Sequence, residues 1–173
     1  DGKLVAIADA ARALTDGDSA RVWFLDGEQL IAGPGAQGRG RDAYATTAIP
    51  PIGIAGPSPV QRAVRERVGI AVGDLIDVLR DAVQRGEITE SADAASVEER
   101  LKAIGTRSVM AAPLGRLNPL GAIFVSRVDV RPFSAGELST LEAFAAQAVV
   151  AIETARAQQQ LVERNDALAK GLE

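Results

Sequence analysis

The chain has 173 residues, of which 47% are hydrophobic and 24% charged, with a net charge of −4 and a pI near 5.0. That is enough chain for one ordinary core, or for a slightly smaller domain with a helical extension. With no Cys and no His, the chain offers no disulfide, no thiolate nucleophile, no thioether attachment point for a pigment and neither of the commonest metal ligands, so Ser-His-Asp and Cys-His catalysis are excluded. Its Arg residues are interleaved with Asp and Glu, which argues against a nucleic-acid partner.

The apolar stretches are short and interrupted by charges or glycines, so no membrane insertion is expected and a cytoplasmic protein is. The chain begins Asp1-Gly2-Lys3 and ends within a charged helical pattern at Glu173, which reads as a piece of a longer polypeptide.

Leu4, Ile7, Ala8, Ala11 and Leu14 fall at helical spacing until Thr15-Asp16-Gly17-Asp18 ends the pattern. Residues 21–25 and 29–32 are β-prone runs flanking Asp26-Gly27, a pair suited to a two-residue hairpin loop. From 33 to 59 the composition turns to Gly, Pro, Ala and Ser, with residues 44–49 reading as a third strand before Pro50-Pro51. Gly33-Pro34-Gly35 and Gly38-Arg39-Gly40-Arg41 superficially suggest a phosphate loop, but no Lys-Ser/Thr helix start follows.

Ser58 as N-cap and Pro59 at the first helical position predict a helix carrying Val60, Ala63, Val64 and Val68 and ending at Gly69. Residues 70–72 suit a brief buried strand. Asp74 then caps a helix with Leu75, Ile76, Leu79, Ala82 and Val83 inward, closed by Gly86. Ser96 with Glu99 forms a capping-box pattern for a helix ending at Gly105, and Glu98, Glu99, Asp77 and Asp81 read as solvated helix faces. Residues 108–114 and 120–128 form a second hairpin around Asn118-Pro119.

Ser134 and Glu137 open a final helix of roughly 35 residues, about 50 Å long at 1.5 Å per residue. Leu141, Phe144, Ala145, Ala148, Val149 and Ile152 make its first half core-facing. The polar second half keeps Leu161, Asn165, Leu168 and Leu172 at coiled-coil spacing. The division predicted is 1–156 for the body and 157–173 for a projecting signalling helix, with a homodimer paired through Ile152, Ala155, Leu161, Asn165, Leu168 and Leu172.

The runs RSVMAAPL at 107–114, LGAIFV at 120–125, RPFSAGEL at 131–138 and LEAFAAQAVVAIETAR at 141–156 resemble, in order, the motifs of the C-terminal half of a GAF domain. The resemblance implies an α+β sandwich: a central antiparallel sheet, the first and last helices on one face, and loops and short helices on the other. It further implies a sensory domain of a bacterial histidine kinase or nucleotide cyclase, which binds a small molecule under the loops and passes its state to an output domain.

Trp23, Tyr44, Asp74, Arg107 and Met110 are the candidate ligand contacts, though core, rim or capping roles suit each as well. The resemblance carries no cofactor here, because covalent bilin attachment and methionine sulfoxide reduction need Cys, and the cyclic-nucleotide signature of the family is not found. No catalytic set emerges, so no enzyme is expected. The rival reading is a ligand-free dimerisation and spacer module.

Overall fold

The computed structural model describes residues 2–38, 49–87, 98–99, 102 and 105–172. In chain order they form α1 (Gly2–Leu14), β1 (Ser19–Asp26), β2 (Gln29–Gln37), β3 (Ile52–Gly53), α2 (Pro59–Glu66), β4 (Ile70–Val72), α3 (Leu75–Gln84), β5 (Ser108–Pro113), β6 (Gly121–Arg127) and α4 (Ala135–Gly171). The strands make one sheet ordered β3-β2-β1-β6-β5-β4, with every neighbouring pair antiparallel.

Side chains alternate across each strand, so the sheet has two apolar faces. On one, Ala20, Val22, Met110, Ala112, Ile123 and Val125 pack against Ala8 and Ala11 of α1 and Leu141, Ala145, Ala148 and Ile152 of α4. On the other, Trp23, Leu30, Val109, Ala111, Ala122 and Phe124 pack against Val60, Ala63 and Val64 of α2. This is the α+β sandwich expected, with the terminal helices together on one face.

The first hairpin forms with its loop one residue later than the sequence suggests. Asp26 pairs with Gln29, leaving Gly27-Glu28 as the loop, and Gly27 alone of the two has positive φ, at 62°. Placing Gly first gives the twist that the strands need. β2 also runs past its predicted end, taking in Gly33-Pro34-Gly35, which rules out a phosphate loop there. The register slips between Arg21 and Trp23, setting Gly33 and Pro34 opposite Val22, so a bulge accommodates the proline where β2 has no other neighbour among the described residues.

Residues 44–48 of the predicted third strand lie outside the described residues. Ile49 is not in a strand, and the observed β3 follows Pro50-Pro51. The predicted helix from Ser96 falls largely outside them too; Glu98 bonds Arg80 and Lys102 there.

Capping chemistry sets the helix starts. Ser58 accepts from the Gln61 N–H while Gln61 accepts from the Ser58 N–H, and Ser134 and Glu137 do the same at α4. α2 ends earlier than predicted, at Arg67 in the left-handed region (φ 59°), which leaves Val68 exposed rather than inward. Leu14 is likewise 58% exposed; the buried residue at that turn is Thr15, whose hydroxyl donates to the Ala11 carbonyl at 2.7 Å.

α4 runs unbroken for 37 residues. By length and composition alone it could cross a membrane, yet its first half is fixed in the core by the four side chains named above. The second half, from Glu153 on, is exposed except for half-buried Ala155.

Both terminal helices are tied to the sheet by Arg127, 2% exposed at the end of β6. Its guanidinium donates to the carbonyls of Thr15 (2.9 Å), Asp16 (3.1 Å) and Arg131 (2.9 Å) and to the Glu137 carboxylate (2.6 Å), and lies 3.9 Å from the centroid of the Phe133 ring. Truncation strands these acceptors. Arg127→Met should cost about 3 kcal/mol of stability, lowering the thermal midpoint by roughly 6–12 °C. Arg127→Lys should recover less than half of that, because an ammonium cannot span the acceptors. Circular dichroism melts of the three proteins check both expectations.

Candidate functional site

The sheet face that α2 packs against brings together the side chains with most to offer a small molecule. Trp23 is 3% exposed at the middle of β1, beside Phe124 and Ala122 of β6 and Val60 of α2. Two residues earlier on the same strand, Arg21 is 4% exposed. Period-two alternation sets it on the same face as Trp23, so a buried guanidinium and an indole lie side by side on the sheet. Beyond Arg21, the hydroxyls of Ser19 and Ser126 are 2.7 Å apart across β1 and β6.

Burying a charge is costly enough to restrict it to positions with structural or functional use. Arg21 is thus the residue of this face that the sequence reading missed, and its i, i+2 relation to Trp23 was the signal that could have found it.

The other expected ligand contacts are placed differently. Met110 points to the opposite face, fully buried with α1 and α4, so it lines no site beneath α2. Asp74 and Arg107 are bonded to each other: Nε donates to Oδ1 at 3.1 Å and Nη2 to Oδ2 at 2.6 Å. Asp74 also accepts from the Ile76 N–H at 3.0 Å as the N-cap of α3, while the Leu75 N–H donates to the Arg107 carbonyl at 2.8 Å. Their opposite charges meet in docking α3 beside β5. Tyr44 lies outside the described residues.

A cavity of about 270 Å³ opens on the helical face between α1 and α4, where Lys3, Leu4, Ile7, Phe24, Ala155 and Arg156 line it. The Arg156 guanidinium stands 5.3 Å from the centroid of the Phe24 ring there. Ile152, at 4% exposure, belongs to the core, and Ala155 faces this groove. Neither stands with Leu161 and Leu168, so the predicted pairing set splits between two sides of the helix. Among the described residues no group of three or more carboxylates is placed to hold a metal ion.

Two carboxylates at structural joints titrate below their ordinary values. For Asp74 the cause is chiefly the Arg107 hydrogen bond, which outweighs burial. For Glu137, burial pushes upward and is overcome by the Ser134 N–H and the Arg127 guanidinium. A carboxylate lowered in the folded state stabilises the fold at every pH above its unfolded value, and that contribution disappears as pH falls through the folded value. Stability should therefore be level from neutrality to about pH 5 and then fall below the ordinary values of 4.5 and 3.8. Arg127→Met should flatten the Glu137 part of the decline. Urea midpoints measured across this range, for both proteins, check the sign.

Comparison with known proteins agrees with this architecture. A family model for the GAF domain matches residues 4–152. The GAF-B domain of DevS from Mycobacterium smegmatis superposes with a TM-score of 0.65 at 20% identity, over 92% of this chain and 97% of that one. A GAF domain/HD domain protein from Geobacter sulfurreducens gives 0.64 at 17% identity, over 88% and 91%. The blue-light absorbing form of the Thermosynechococcus elongatus PixJ GAF domain gives 0.63 at 14% identity, over 94% and 90%. No curated protein matches the sequence itself. With a family model spanning most of the chain, from residue 4 to residue 152, the chain belongs to the GAF domain family.

Proposed function

We propose that this GAF domain is a regulatory module that binds a small molecule non-covalently on the sheet face beneath α2. Its state passes through α4 to an output domain, of kinase or cyclase type, in the same polypeptide in the cytoplasm. The observation that carries this reading is the single unbroken α4, half rooted in the core and half clear of it.

β1 and β6 connect the two faces of the sheet. Trp23 and Phe124 face the proposed site, while their chain neighbours Val22, Ile123 and Val125 pack with α1 and α4. A ligand that favours one position of these strands over another shifts the packing of the terminal helices by as much as its affinities for the two states differ. Three residues beyond Phe124, Arg127 holds Glu137 at the start of α4. Displacement of β6 is thereby delivered to a rigid rod rather than to a loop.

Native mass spectrometry of the protein purified from its own host should show mass beyond the polypeptide that is lost on unfolding. Adding that compound back to stripped protein should change the emission of Trp23, the only Trp in the chain. Recovery of bare polypeptide alone, with no emission change across a library of cellular metabolites, would overturn the sensing reading in favour of a ligand-free spacer.

A further inference from the structure

The groove between the start of α1 and the middle of α4 is left open by the side chains that border it. Leu4 and Ile7 form its α1 wall, whereas the α4 wall is Ala151 and Ala155, whose methyl groups are too short to fill the space between. Phe24 makes the floor. Its ring lies over Gly33 of β2, where a Cβ would stand 3.0 Å from it, so the ring rests low on the sheet. Leu4, Ile7 and Phe24 are each only half-buried as a result, and all three turn apolar surface into one recess of about 270 Å³.

The charges at this recess are of one sign. Helical arginines elsewhere in the chain pair with an acid one turn earlier, Arg12 with Asp9 and Arg80 with Asp77. Arg156 has Glu153 at the same spacing, yet among the described residues it forms no ion pair, and its guanidinium stands over the Phe24 ring instead. A guanidinium held on a ring face keeps its in-plane N–H fork, which grips a carboxylate through two bonds. Lys3, the other cation of the lining, is followed one turn on by Ala6 and Ile7, with no acid to answer it. Among the described residues no carboxylate lines the groove. Glu163 borders the outer side of Arg156, and its carboxylate accepts from the Gln159 amide at 3.1 Å. In a chain of net charge −4, this positive rim is a local feature.

We infer that this groove binds a small amphipathic carboxylate, its apolar body on Phe24 between Leu4 and Ala155 and its head group between Lys3 and Arg156. The volume is that of about nine water molecules, which suits a body of about ten carbons and is too small for a dinucleotide. Such an occupant bridges α1, β1 and α4 at the point where α4 leaves the body, and therefore stabilises that junction by mass action. The groove lies on the opposite face of the sheet from the site beneath α2, and the two are independent.

Calorimetric titration of the full chain with decanoate, below its micelle-forming concentration, tests this. Saturable one-to-one binding is expected, with decanol and decylammonium at least about tenfold weaker. Arg156→Gln removes an exposed charge and should weaken decanoate at least about tenfold while leaving decanol unchanged. Ala155→Phe fills the recess and should abolish binding of both. In the unmodified chain, nuclear Overhauser contacts from the decanoate chain should reach the Phe24 ring and not Trp23, which separates this groove from the face beneath α2. Those contacts and Arg156→Gln decide the matter even if Ala155→Phe lowers the thermal midpoint. Absence of saturable binding, equal affinity for the three probes, undiminished binding by Arg156→Gln, or contacts at Trp23 in place of Phe24 would overturn the inference. So would binding to phosphatidylglycerol vesicles without binding to decanoate, which would point to a membrane surface instead.

Discussion

The fold depends most on how Arg127 is buried. A guanidinium is the one side chain with enough donors, fixed in one plane, to reach several acceptors at once. Here those acceptors come from segments distant in sequence: the carbonyls of Thr15 and Asp16 just past α1, that of Arg131 on the approach to α4, and the Glu137 carboxylate in the first turn of α4. The carbonyls that end a helix have no partners of their own, and a cation is what that terminus attracts. Glu137 is shared, one oxygen accepting from the Ser134 N–H and the other from Arg127. The start of α4 is therefore set by its local cap and by the sheet together.

This anchoring gives the two faces of the sheet a common mechanical element. β5 and β6 are buried along their whole length, and β6 carries Phe124 toward α2, Val125 toward α1 and α4, and Arg127 at its end. A close-packed strand of this kind does not deform gradually. On the reading proposed above, a ligand that shifts β1 or β6 on one face shifts the packing on the other as well. The rod that follows is held by side chains in its first half only, so what reaches its far end is orientation rather than contact.

The polar residues illustrate how far a fold consumes its own charges. Asp74 and Arg107 each carry the chemistry of an anion or cation site, yet their bidentate pair serves to dock α3 against β5. Arg116 is drawn to Glu142 of α4, which holds the tip of the β5–β6 hairpin against the helix. Arg21, buried in the sheet beside Trp23, places a charge on the proposed ligand face.

The sequence by itself determined the local elements, because their causes act within three or four residues. Ser58 and Ser134 cap, Asp74 starts α3, Gly27 permits the hairpin, and the alternation of Leu141, Ala145, Ala148 and Ile152 marks one side of a helix. Ordered motifs from 107 to 156 also identified the family, and the missing Cys and His excluded thioether attachment of a pigment and Cys- or His-based catalysis.

Tertiary structure alone decided what those elements face. A strand buried on both sides shows no alternation to read, so Met110 was as credible beneath α2 as beneath α4, and Arg21 passed unnoticed. Partners far apart in sequence, such as Asp74 with Arg107 or Arg127 with Thr15, leave no local trace. The placement of Ile152 in the core, opposite Leu161 on the rod, followed only once the sheet fixed which side of α4 is inside.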